Sequence, residues 1–202
     1  MTENTGSNPP ADPWILFREW YALAEKNEPN DPNAMALATV GAHGMPSVRM
    51  VLFKGHGPEG FMFLTNRESA KGDQLKRHPK AAICLHWKSL KRQVRAEGPI
   101  ELISDAESDA YFATRPRESR LGAWVSQQSR VLESRAALDL AVADAEKKFE
   151  GMDVPRPPYW GGYRLMPLMM EFWLEGRFRL HDRIVYRRAA LNSPWTQERL
   201  YP

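Results

Sequence analysis

The spacing of apolar positions first changes its period near residue 34. Before that point "DPWILFREWYALAEKN" carries Trp14, Phe17 and Tyr21 at helical intervals, behind Asp12 as an N-cap and Pro13 at the first helical position. This predicts an amphipathic helix. Beyond it come short β-rich runs, "AMALATV", "PSVRMVLFKG", "GFMFLTN", "KAAICLHW" and "RQVRAEGPIELI", with hairpin-like connectors such as "GAHGMP" and "GHGPEG". Five strands in close succession imply an antiparallel meander or barrel. Helical patterns follow at "SAKGDQLKRH", which falls between the third and fourth runs, and at "DAESDAYFATR", "SRLGAWVSQ" and "SRAALDLAVADAEKKFEG". After the rigid "VPRPPYWGG", strands resume at "YRLMP", "MMEFWLEG", "RLHDRIVYRR" and "WTQERLYP" and are expected to complete the early sheet. The expected class is α+β, mainly β, with a loose tail over 1–11 and a single domain over 12–202.

A chain of 202 residues suits one sizeable core, and the pattern shows no repeat or linker that would divide it. The net charge of +3 is mixed with acids along most of the length. That distribution fits small phosphorylated ligands better than a nucleic acid, which calls for a denser basic stripe. One cysteine, Cys84 in "AAICLHW", excludes an internal disulfide and reads as a core residue. The five histidines, His43, His56, His78, His86 and His181, fall in separate segments without metal-like spacing. The opening residues lack the charge and apolar runs of a leader, and no run reaches membrane-spanning length, so the expected location is cytoplasmic.

Chemistry enters where cations stand at the wrong end of a helix. Ser69 is a candidate cap, yet Lys71 occupies the first turn behind it and Arg67 lies just before. A helix N-terminus carries partial positive charge, so cations there are unfavourable unless an anion joins them. "TRPRESRLGAW" repeats the arrangement, with Arg115 and Arg117 ahead of Ser119 as a second candidate cap. Either cluster alone is more simply a set of solvated side chains, but two in one small chain suggest two anion pockets. No P-loop, dinucleotide fingerprint or nucleophile elbow accompanies them. Arg49 and Lys54 sit on opposite faces of a continuous strand, which suggests two pockets sharing a wall, whereas Gln93 and Arg95 share one face.

The run "RFRLHDR", residues 177–183, poses the sharpest choice. On a strand, Arg179, His181 and Arg183 point one way and Leu180 and Asp182 the other. Three positive or chargeable groups on one face form either a charge-guarded edge or one wall of an anionic site, and the run itself leaves both open.

Taken together, "RMVLFK", "LTN", "SAKG", "RQVR", "YFATRPRESRLGAWVSQQS", "PRPPYWGGYR", "EFW" and "RLHDR" resemble the pyridoxamine 5′-phosphate oxidase family, in that family's order and from about residue 11 onward. The resemblance implies an FMN-binding split β-barrel with peripheral helices, working as a homodimer with FMN at the subunit interface. It implies oxidation of pyridoxamine or pyridoxine 5′-phosphate to pyridoxal 5′-phosphate, with O2 reduced to H2O2. By the same resemblance, the FMN contacts are Arg49, Met50, Val51, Leu52, Phe53, Lys54, Leu64, Thr65, Lys71, Gln93, Gln128, Ser129, Trp173 and Arg183, some from the partner subunit. Lys54, Tyr111, Arg115 and Ser119 cradle the substrate phosphate, and Arg179 and His181 stand beside the pyridine ring as catalytic residues. Three departures stand out: Ala70 in place of a frequent arginine, with Arg67 as the neighbour to take over its contact; Leu64 in place of a frequent tyrosine; and a short N-terminal segment without the residues that cover the substrate in some members. The rival readings are another split-barrel FMN oxidase of the phenazine-pathway type, and a non-catalytic flavin-binding or nucleic-acid-binding protein.

Overall fold

The computed structural model describes residues 9–202 and consists of nine strands and five helices. Helix α1 (Pro13–Asn27) starts where the sequence places it: the Asp12 side chain accepts a hydrogen bond from the Trp14 amide at 2.9 Å, and proline fills the first helical position. Its apolar stripe buries Trp14, Leu16, Phe17, Trp20 and Ala24. Strands β1 (Ala34–Val40), β2 (Pro46–Gly57), β3 (Gly60–Asn66), β4 (Lys80–Trp87) and β5 (Arg92–Leu102) follow, with α2 (Ala70–Arg77) between β3 and β4. Helices α3 (Asp105–Ala113), α4 (Arg117–Val125) and α5 (Arg135–Lys148) lead to β6 (Trp160–Leu165), β7 (Met169–Leu174), β8 (Asp182–Arg187) and β9 (Thr196–Leu200).

Antiparallel pairings β4–β1–β2–β3–β6–β5 return through β5–β4 and close a six-stranded barrel. Strand β5 makes the split. Its first half, Arg92 to Glu97, pairs with both β4 and β7, while Ile100 to Leu102 pair with β6. Strands β7, β8 and β9 therefore continue the sheet away from the barrel. Helix α1 packs onto the barrel core, where Phe17 lies edge-on to Phe61 at 4.9 Å between ring centroids and also meets Phe53 and Trp87. A small second core of Leu121, Phe149 and Val154 joins α4 to α5.

Two expectations change. Residues 177–179 form a 3-10 turn, not a strand, with Phe178 and Arg179 in the left-handed region at φ 57° and 64°. The turn closes on Gly176, whose amide donates to His181 Nδ1 at 3.2 Å; a Cβ there would lie 1.7 Å from the Leu180 carbonyl oxygen. Strand β8 begins only at Asp182, so Arg179, His181 and Arg183 do not share a strand face. Ser119 lies within the first turn of α4, whose N-cap is Pro116, so Ser119 caps nothing. Of the expected tail, residues 1–8 lie outside the described residues, while Pro10 is tied to the fold through its carbonyl, which accepts from the Tyr186 hydroxyl at 2.8 Å.

Candidate active site

Strand β2 places the central part of the site. Val48, Met50, Leu52 and Lys54 face outward and Phe53 turns into the core, an alternation that persists until the register shift after Phe53. Met50, Leu52 and Lys54, with Val51, form one wall of a cavity of about 520 Å³, whose other walls come from β3, α2, α3, α4 and β6. Volumes of this order suit a small-molecule ligand.

One end of the cavity is organised around Lys71. Ser69 caps α2, and Gly72 lets that turn press against the preceding chain; a Cβ at Gly72 would lie 2.0 Å from the Arg67 carbonyl oxygen. Lys71 is consequently buried, with Nζ donating to Thr65 Oγ1 at 3.0 Å, Ser69 Oγ at 3.0 Å and Gln128 Oε1 at 2.6 Å. All three acceptors are neutral. Burial, reinforced by the charge on nearby Arg49, lowers the Lys71 pKa to about 8. Arg49 lies on the opposite face of β2, bonded to Thr39, Ser47 and Gln74 and to the Leu37 carbonyl, again with no carboxylate. Two neighbouring cations with only neutral partners favour an anion of at least one full charge.

The other end gathers Lys54, Tyr111, Arg115 and Ser119 around the indole of Trp160. The Arg115 guanidinium lies 4.8 Å from the centre of the Trp160 ring and 5.5 Å from that of Phe112. Its Nη1 is buried without a hydrogen-bond partner, and burial lowers its pKa. Lys54 Nζ stands 6.0 Å from the centre of the Tyr111 ring. An unpaired guanidinium nitrogen and an exposed ammonium facing one cavity make a second place for an anion. The local sequence explains the geometry: α3 carries Tyr111, the "TRP" turn carries Arg115, and the next helix starts at Arg117.

The cavity thus unites Met50, Val51, Leu52, Lys54, Leu64, Thr65, Lys71, Gln128, Tyr111, Arg115 and Ser119. It also takes in Asn66, Gly122, Ala123, Ser126 and Trp160, which sequence reasoning did not single out. Asn66 and Trp160 had a signal, standing inside "LTN" and "PYWGG"; the α4 residues had none beyond lying in the same motif. Ser129, not among the lining residues, follows Gln128 in a left-handed conformation at φ 74°.

The remaining candidates are elsewhere on this chain. Gln93, Trp173 and Arg183 are aligned in register across β5, β7 and β8. Arg183 is already engaged, donating from Nε to the buried Glu171 at 2.8 Å and from Nη1 to the Tyr201 carbonyl at 3.0 Å. The His181 ring packs on Trp173 at 4.5 Å, and because its Nδ1 accepts a hydrogen bond, a neutral ring carries its proton on Nε2. Arg179 is exposed. Arg67 does not take over the contact expected of it: it points to Asp105 at 3.1 Å and to the Trp160 carbonyl, away from Lys71. Among the described residues, no cluster of histidine, cysteine and acidic groups could hold a metal, and no helix is long and apolar enough to cross a membrane.

Barrel, split and cavity define a split-β-barrel protein with two cationic clusters in one pocket. The family description "pyridoxamine 5′-phosphate oxidase" matches residues 24–149, and "pyridoxine 5′-phosphate oxidase C-terminal dimerisation region" matches residues 160–202. The chain belongs to the pyridoxamine 5′-phosphate oxidase family. It is 57% identical over 192 residues to the pyridoxine/pyridoxamine 5′-phosphate oxidase of Brucella canis, covering 95% of each chain. The corresponding protein of Brucella abortus is also 57% identical, with 95% of this chain and 92% of the relative covered. Among solved structures, PhzG from Burkholderia lata in complex with tetrahydrophenazine-1-carboxylic acid superposes with a TM-score of 0.90 at 32% identity, covering 96% of this chain and 95% of the other. A pyridoxamine 5′-phosphate oxidase-related FMN-binding protein from Nostoc punctiforme shares the fold, with a TM-score of 0.75 at 21% identity and coverage of 96% and 100%.

Proposed function

We propose that the protein is a pyridoxine/pyridoxamine 5′-phosphate oxidase that holds FMN and oxidises C4′ of either B6 phosphate to the aldehyde. The single observation that carries this reading is the pairing of two carboxylate-free cation clusters in one cavity, in a chain 57% identical over nearly its whole length to oxidases of that name. Lys71 and Arg49, with Thr65, Ser69 and Gln128, would hold the cofactor phosphate, and the β2 wall from Met50 to Leu52 would lie along the ring system. When bound, FMN would accept a hydride from C4′, two electrons with one proton, while the substrate's hydroxyl or amine gives up the second proton; O2 then takes up the two electrons and two protons as H2O2.

The protein's own share is orientation and charge. Arg115, Lys54, the Ser119 hydroxyl and the Tyr111 hydroxyl would fix the substrate phosphate, turning binding energy into alignment of C4′. For the amine, one water enters and ammonia leaves; for the alcohol, no water is needed. Trp160 and Tyr111, with ring centroids 6.4 Å apart and planes 13° from parallel, would close the apolar side and exclude bulk water.

Arg179 and His181 can meet the substrate ring only if a second copy brings them, since neither lines this chain's cavity. We therefore read the working unit as a homodimer with the cofactor between copies. The match to a dimerisation region over 160–202 supports this, as do Val48 and Met50, which stand 69% and 64% exposed on β2.

The test is to incubate FMN-loaded protein aerobically with each B6 phosphate while following aldehyde product and peroxide. Equal amounts of both, with either substrate, are expected. A second reading, oxidation of a reduced phenazine precursor, is favoured by the structural likeness to PhzG. Product from such a precursor and none from the B6 phosphates would replace the first reading with the second.

A further inference from the structure

The structure assigns a positioning role to Arg156: through Asp105 and Asp109 on α3 and the Trp160 carbonyl on β6, it sets where Arg115 and Tyr111 stand and so governs the cavity's affinity for a phosphate ester. This rests on the proposed function only in naming the ester; the geometry stands without it.

Arg156 lies in the rigid "VPRPPYW" segment, outside the cavity, and its side chain is only 10% exposed. Its guanidinium spends its donors on three acceptors from two elements: Nε to Asp109 at 2.6 Å, Nη2 to Asp105 at 3.0 Å and Nη1 to the Trp160 carbonyl at 2.6 Å. Arg67 repeats part of the pattern, bonding Asp105 at 3.1 Å and the same carbonyl at 3.3 Å. Gly161 makes room for it, since a Cβ there would lie 2.4 Å from the Arg67 guanidinium. Asp105 and Asp109 are one helical turn apart and so share a face of α3. Two arginines thus join that face to the backbone of the residue whose ring lies in the pocket.

The consequence runs along both elements. The far end of α3 delivers Tyr111 and Phe112, whose rings meet Trp160 at 6.4 and 4.9 Å. Arg115 lies over the same indole with an unpartnered nitrogen, so indole and guanidinium move as one body. Lys54, by contrast, is carried by β2, which the clamp does not touch. Loosening the clamp changes the separation between Arg115 and Lys54, which a rigid phosphate must bridge, and leaves the Lys71 end alone. An ordinary surface ion pair has no such selectivity.

The test is Arg156→Met, with Arg156→Lys as the conservative variant and Arg135→Met as a control at the exposed Arg135–Asp139 pair on α5. The expected result for Arg156→Met is a rise in KM for the substrate of roughly tenfold, the size of one lost charge-assisted contact, with FMN retention and the limiting rate at saturation kept. Arg156→Lys recovers part of the loss, and Arg135→Met matches the parent. Binding of pyridoxal 5′-phosphate to FMN-loaded protein, followed by its absorbance, weakens in parallel, and this readout does not require turnover. Unchanged KM and unchanged ligand binding in Arg156→Met would overturn the proposal. So would a joint fall in FMN retention, limiting rate and melting temperature, because that marks general structural support. If the parent binds the ester but turns over neither B6 phosphate, the functional reading fails while the clamp is still judged by binding.

Discussion

Lys71 is buried, and its ammonium donates to three neutral oxygens, those of Thr65, Ser69 and Gln128. Its pKa of about 8 reflects burial and the charge of Arg49, so an anion placed beside it must raise that value. Between the two values the complex binds more protons than the free protein, so FMN affinity falls as pH rises above about 8, by up to about tenfold per unit, and Lys71 contributes no dependence below. Fluorescence titration of FMN from pH 7 to 9.5 checks the sign; affinity that stays flat across that range would place the phosphate elsewhere. The same shift means that the cofactor-free fold gains stability over this window, because the unfolded chain keeps its lysine proton longer. Ala70 gives the companion experiment. Arg67 is tied to Asp105, so nothing replaces an arginine at that position, and Ala70→Arg is expected to tighten FMN by about 1–2 kcal/mol. An unchanged dissociation constant would show that a side chain at the exposed position 70 does not reach the phosphate.

At the scale of elements, β8 is held to β7 by an ion pair as well as by its ladder. Glu171 is buried and divided between Arg183 at 2.8 Å and Arg95 at 3.5 Å. Arg183→Met should cost about 1–3 kcal/mol in denaturant unfolding of cofactor-free protein, since it leaves a buried carboxylate with one longer partner. A loss confined to FMN binding would instead make Arg183 a ligand group with no structural share. This pair also shows what the sequence could and could not tell. The five early strands and α1 were legible because alternation, Asp12–Pro13 and the glycine-rich connectors all act locally. The Lys71 and Arg115 clusters were legible because a cation in a helix's first turn, or just ahead of it, is a local anomaly. The turn at 177–179 was not, because alternating charges imitate a strand, and its left-handed Phe178 and Arg179 come with a close approach of Leu180 to Gly176 that only the folded turn creates. Glu171 pairing with Arg183, and Arg67 turning to Asp105, depend on which strands and helices become neighbours, and no short window contains that.

At the scale of the molecule, one chain closes a barrel and a cavity but leaves Gln93, Trp173, Arg179, His181 and Arg183 off the cavity lining. A dimer is therefore expected at assay concentrations, with FMN bound at one per chain; sedimentation of a monomer that keeps stoichiometric FMN would contradict this. Within each copy, the two cation clusters are expected to hold two different phosphates. Lys71→Met and Arg115→Met, compared with the parent in one experiment, separate them. Each protein is loaded with FMN and desalted, its retained flavin is measured, and pyridoxamine 5′-phosphate is titrated in without oxygen while flavin bleaching is followed. Lys71→Met is expected to lose most of its FMN. Arg115→Met is expected to stay yellow but to need roughly a hundredfold more substrate to bleach, the cost of about two charge-assisted contacts. Equal loss of FMN in both variants, or bleaching of Arg115→Met at the parent's substrate concentration, would contradict this.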